Sequence, residues 1–111
     1  RHWNQNLIAL GDFNIDRRGD LLYDAFTSSG IEPAPALNAV PRTIFGDPAE
    51  GKFYDQIAWF MDDERGPMLS LASSAAGSFD FVQHLLGDLS KTTLSWKVSD
   101  HYPLWVEFSV R

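Results

Sequence analysis

The sequence predicts a mixed α/β domain, and three observations carry that expectation. Apolar runs rich in branched and aromatic residues stand at about four places, capped amphipathic stretches lie between some of them, and Gly, Pro, Asn and Asp gather at the joints. Length makes this one domain: folding 111 residues removes roughly two-thirds of the unfolded surface from water, enough for one core. With 44% hydrophobic and 14% aromatic residues, the composition is that of a packed globular protein rather than a disordered segment.

The elements follow in chain order. Leu7 to Leu10 is a short, wholly apolar run with Gly11 behind it, which predicts a strand buried on both faces. Asp20 reads as an N-cap before LLYDAFTSSG, where Leu21, Leu22, Ala25 and Phe26 share one helical face and Gly30 is the stop. From Ile31 to Gly51 the prolines at 33, 35, 41 and 48 forbid a long helix, so a surface loop with short extended pieces such as Arg42 to Phe45 is expected. KFYDQIAWF reads as a strand interrupted by Asp55 and Gln56, and PMLSLASSA as a weaker one. In SFDFVQHLLGDLS the residues Phe79, Val82, Leu85 and Leu86 fall at helical spacing. Ser78 would cap that second helix and Gly87 would end it. Finally, Leu104, Val106, Phe108 and Val110 alternate with Trp105, Glu107 and Ser109, the pattern of a half-buried strand, with Pro103 near its start.

Charge and composition narrow the function. The net charge is −6, and the basic residues are scattered rather than clustered, which disfavours a long nucleic-acid footprint. An acidic protein still acts on phosphate esters when a divalent cation offsets its carboxylates. With no cysteine, disulfides and thiolate metal sites are excluded, and a cytoplasmic setting is the default expectation. No apolar run is long enough to span a membrane.

Polar residues at strand ends mark the candidate site. Asp12 and Asn14 follow the first strand, Asp55 interrupts the middle one, and Ser99-Asp100-His101 precedes the last, so a sheet could direct all of them into one cleft. Carboxylate and amide oxygens are hard ligands suited to Mg²⁺ or Mn²⁺, and an imidazole beside a carboxylate moves protons near neutral pH. Each piece has a plainer reading as well. GDFN and SDH are ordinary turn sequences. Asp55, inside an aromatic strand, must lie on an edge or be paired. His2 and His84 read as surface residues. Phe53, Tyr54, Trp59, Phe60 and Trp105 read as core, and Asp62-Asp63-Glu64 as a solvated turn.

LIALGDFN, then YDQIAWF, then SDHYPLWVEF, in that order, resembles the C-terminal half of the endonuclease/exonuclease/phosphatase superfamily. That group includes DNase I-like nucleases, apurinic-site endonucleases, sphingomyelinases and inositol-polyphosphate 5-phosphatases, and the resemblance runs from about Leu7 to Val110. It implies that Asp12 orients or activates the attacking water and Asn14 holds a phosphate oxygen. It also implies that Asp100 is linked to the metal, that His101 contacts the phosphate and that Asp55 pairs with His101. The implied metal ligands are Asp100, Asp12 and Asn14, with Mg²⁺ or Mn²⁺ as cofactor, and the implied substrate is a phosphate ester.

The family's domain is a two-sheet sandwich flanked by helices and is roughly twice this length or more, with a metal-binding Glu and a further His and Asn in its N-terminal half. None of those is assignable here. The chain is therefore expected to be a C-terminal fragment of a DNase I-like four-layer α/β sandwich, carrying part of a phosphoesterase site and inactive in isolation. An uncovered sheet face favours a homo-oligomer. The alternative is a catalytically inert or decayed module that folds and self-associates.

Overall fold

The strand Asp55–Asp62 organises the fold. In the computed structural model, which describes residues 5–45, 52–85 and 89–110, this strand, β3, pairs with three others. In chain order the elements are β1 (Ile8–Asp12), α1 (Leu21–Thr27), β2 (Ile31–Pro33), a 3-10 turn at Pro35–Leu37, and β3. They continue with β4 (Gly66–Pro67), β5 (Ala72–Ser78), a 3-10 turn at Phe81–His84, α2 (Lys91–Lys97) and β6 (Leu104–Ser109). The described chain is thus a mixed α/β structure with two antiparallel sheets.

In the larger sheet the order is β1-β3-β2, with β4 folded back on the end of β3. The register sets Ile8 opposite Trp59, Leu10 opposite Ile57 and Asp12 opposite Asp55. Since side chains alternate between faces, these six share one face. The second sheet, β5 with β6, packs against that face: Leu104, Val106 and Phe108 of β6 meet the buried cluster of Ala34, Leu37 and Trp59. Trp59 and Phe108 meet edge to face, with ring centroids 5.6 Å apart. Burying an aromatic side chain of this kind contributes about 1.5–3 kcal/mol, so Trp59 is one of the ties between the sheets. The outward positions Trp105, Glu107 and Ser109 are exposed, as the alternation predicts. Gly77 faces Trp105 across the strand pair, and a Cβ there would come within 2.9 Å of the indole, which accounts for the glycine.

Helix α1 begins where its cap predicts: the Asp20 carboxylate accepts the Tyr23 amide proton at 2.8 Å. Gly30, with φ +95°, turns the chain into β2 at a conformation other residues resist. Leu21 and Leu22, however, stay exposed, and no residue of α1 is buried.

Five expectations are corrected. Leu7 to Leu10 is a strand, but an edge one. β1 pairs only with β3 among the described residues, and Leu7 and Leu10 are 53% and 70% exposed. The segment after Ile31 is not a surface loop over its described part. It carries β2 and a 3-10 turn, and it buries Ala34, Leu37, Arg42 and Ile44. The helix expected after Ser78 is only a 3-10 turn, capped by Asp80 through the Val82 amide. Ser78 is instead the last residue of β5, and Leu86 and Gly87 lie outside the described residues. Phe81 is drawn into a second core cluster with Ile44 and Leu94, which outweighs the local helical spacing. The true second helix, α2, starts one segment later, where Ser90 accepts the Thr93 amide proton. The weaker strand candidate divides into β4 and β5. Trp105, expected in the core, is 45% exposed.

Candidate functional site

Strand pairing alone brings two of the predicted carboxylates together. Asp12 ends β1, Asp55 opens β3, and the antiparallel register sets them opposite each other on the face turned toward the second sheet. His101 arrives from the segment before β6. Its amide donates to the Ser99 hydroxyl at 3.0 Å, so the SDH stretch is a turn whose geometry presents the imidazole. The His101 Nδ1 lies 2.8 Å from Asp55 Oδ2, and the Tyr54 ring stacks on the imidazole at 5.4 Å. Asp55 is thus paired, as its place in an aromatic strand requires.

One ligand atom from each of Asp12, Asp55 and His101 falls within 4.8 Å of the others. Asp100 stands beside this group rather than within it: its Oδ1 is 3.8 Å from His101 Nε2, and its side chain is 57% exposed. Asn14 follows Asp12 in a left-handed conformation, φ +54°, and its amide donates to Asp12 Oδ1 at 2.9 Å. That hydrogen bond makes the GDFN stretch a turn that fixes the Asp12 carboxylate. Among the expected metal ligands, Asp12 lies in the cluster, while Asp100 and Asn14 flank it.

Sequence reasoning missed Arg42, whose side chain is 1% exposed. Its Nε donates to the Asp55 carbonyl at 2.9 Å, its NH1 donates to the carbonyls of Leu37 and Val40, and its guanidinium lies 4.0 Å over the Phe53 ring. Burial pushes its pKa down to about 10, partly offset by the Asp55 carboxylate. The backbone around it holds the other partner. Tyr102 N donates to Arg42 O, Ile44 N donates to Asp100 O, and Thr43 forms a bridge with His101. One short segment therefore secures both members of the Asp55–His101 pair. A signal was available, because an arginine inside an apolar, proline-flanked stretch has few ways to be solvated if that stretch is buried.

Burial raises the Asp55 pKa above its usual value. The charge and hydrogen bond of His101 oppose that rise, Asp12 adds to it, and Arg42 opposes it. An ionised Asp55 would bear a desolvation cost, which a nearby cation relieves.

The group opens on a cleft of about 620 Å³. Asp12, Asp55 and His101 line one part of it, and Leu10, Ile57, Phe79, Val98 and Leu104 line much of the rest. The volume falls within the range of small-molecule sites, and the cleft is shallow and open to solvent.

Compared with known proteins, the chain matches no family model, no curated protein and no solved structure. No helix among the described residues is long and apolar enough to cross a membrane.

Proposed function

We propose that this chain carries part of the site of a divalent-metal-dependent phosphoesterase. The observation that carries the proposal is the convergence of Asp12, Asp55 and His101 from three separate segments on one cleft. The motif order that resembles the C-terminal half of the endonuclease/exonuclease/phosphatase superfamily supports the same reading.

The residues have distinct roles. With Asp55 ionised, His101 donates its Nδ1 proton to Asp55 Oδ2, and this leaves Nε2 as the basic nitrogen facing the cleft. In hydrolysis the oxygen of a water forms a bond to phosphorus and the ester P–O bond breaks. One proton leaves the water for a base, and the departing alkoxide gains one. His101 Nε2 and the Asp12 carboxylate are the proton-handling groups, and Asp55 holds the ring in register. Asn14 fixes Asp12 through its amide, and its side chain is assigned to a phosphate oxygen by the resemblance alone.

The donor set fits Mg²⁺ or Mn²⁺. Two carboxylates sit close together, one of them reluctant to ionise without a cation nearby. Asp12 and Asp55 would hold the ion, with Asp100 within reach of the same region. A bound cation would offset the negative charge of the phosphate.

The test is titration with Mg²⁺ and Mn²⁺ while following the His101 ring nitrogens by NMR, with hydrolysis of bis-p-nitrophenyl phosphate run alongside. Saturable shifts with turnover are expected if the chain suffices or completes its site with a second copy. Asp12→Ala and His101→Ala should then each lower turnover by about 10²-fold or more. Absence of both binding and turnover would remove the reading for this chain. A second reading, a self-associating module without catalysis, draws on the exposed apolar side chains of Leu7, just before β1, and Leu10 within it. Light scattering across a concentration series separates the two.

A further inference from the structure

Leu10, Val98 and Phe79, at 70%, 57% and 46% exposure, stand on the wall of the candidate cleft, while other exposed large apolar residues, such as Leu21, Trp96 and Val110, lie elsewhere. Leaving such side chains in water is costly, and an apolar wall that runs into a group of convergent polar side chains is the construction of a ligand site. The cleft also has a charge signature. Its described lining contains Asp12, Asp55 and His101, but no lysine and no arginine. A polyphosphate, or a nucleic-acid strand with a phosphate at every step, would meet carboxylates without compensating cations. A divalent ion held by Asp12 and Asp55 would offset their two negative charges, so a ligand with a single negative charge would be accommodated more easily than one with several.

Resting on the phosphoesterase reading above, we infer that the site takes a phosphodiester bearing one apolar ester group, aryl or branched alkyl. The phosphate lies at Asp12, Asp55 and His101, and the apolar group lies against Leu10, Val98, Phe79 and Leu104. The diester is favoured over a monoester because it carries one negative charge rather than nearly two at neutral pH. Specificity resides in the wall and chemistry in the polar end, so the two are separable by mutation.

The experiment is NMR titration of the full chain, in Mg²⁺, with three probes: diphenyl phosphate, dimethyl phosphate and inositol hexakisphosphate. Diphenyl phosphate is expected to shift the methyl signals of Leu10, Val98 and Leu104 and to bind at least about tenfold more tightly than dimethyl phosphate, the gain from burying a ring. Leu10→Ser and Val98→Ser, both at exposed positions and so tolerated by the fold, should each erase part of that preference by weakening diphenyl phosphate binding more than dimethyl phosphate binding. Equal affinity for the two diesters, tighter binding of inositol hexakisphosphate, or indifference to both substitutions overturns the inference. Methyl shifts that follow protein concentration rather than probe also overturn it, because the wall would then be covered by a second copy. Diphenyl phosphate binding without hydrolysis of bis-p-nitrophenyl phosphate would retain the ligand class and reject the catalytic reading, so the two failures are distinguishable.

Discussion

His101 and Asp55 sit on chain that is tied down from several directions, whereas Asp12 sits at the end of an edge strand with its neighbours in water. On the first side, Arg42 grips the Asp55 carbonyl with its side chain and Tyr102 with its backbone, and Thr43 and Ile44 bind the residues around His101. On the other side, Asp12 has the β1–β3 ladder and the Asn14 turn, and Leu10 beside it is largely exposed. The contrast teaches that the imidazole and its carboxylate are preorganised by this chain alone. Asp12 is positioned by one strand pairing, and its outer side is open.

The largest expected effect tests the anchored side. Arg42→Met keeps apolar bulk over Phe53 but removes the side-chain donor from the carbonyls of Val40 and Asp55 and one of two donors from that of Leu37. It should cost about 3 kcal/mol in urea denaturation and loosen the 2.8 Å His101–Asp55 contact. A loss below about 1 kcal/mol would mean that the backbone bonds alone hold the pair.

Next comes the pH dependence of Asp55. Burial raises its carboxyl above the usual 3.8, so the folded state holds this proton more tightly than the unfolded chain does. The stability contributed by that proton is complete below 3.8 and is lost as pH rises through the higher folded value. Asp55→Asn does not titrate, so the mutant should gain on the wild type as pH rises through that window. Unfolding free energies measured across the series would show a constant difference if Asp55 titrated normally.

A smaller effect belongs to Asp12. Asp12→Asn should change stability by less than about 0.5 kcal/mol because the side chain is exposed. It should also lower the Asp55 titration midpoint, since a repelling charge is gone. If the Asp55 midpoint stayed in place, the two carboxylates would not be sharing one site.

The smallest effect is expected on the open edge. Leu10→Lys should leave stability within about 0.5 kcal/mol and reduce any self-association, because a charge on an edge strand opposes strand addition. A large destabilisation would show that β1 is better covered than its 70% exposed Leu10 indicates.

Much of this was readable before the fold. The Asp20 cap, the alternating β6 and the strand around Ile57 to Phe60 each rest on a local rule, and all three are present. The meeting of Asp12, Asp55 and His101 was expected from their places at strand ends. What failed did so for tertiary reasons. The helix expected from Phe79, Val82 and Leu85 gave way to a 3-10 turn in which Phe81 fills a cluster with Ile44 and Leu94, and α2 formed from KTTLSWK, whose only buried residue is Leu94. A run of apolar residues states that a strand forms, but not which neighbours cover it, and so β1 was misread as buried.

By itself the sequence determined the mixed α/β class, the Asp20 cap and the periodicity of the last strand, because each follows from residue type and local spacing. Only the tertiary structure decided that Asp12 faces Asp55, that Arg42 is buried beneath the Asp55–His101 pair, and that β1 lies at an edge. Those outcomes depend on register and on which surfaces meet, which are long-range choices that no local pattern encodes.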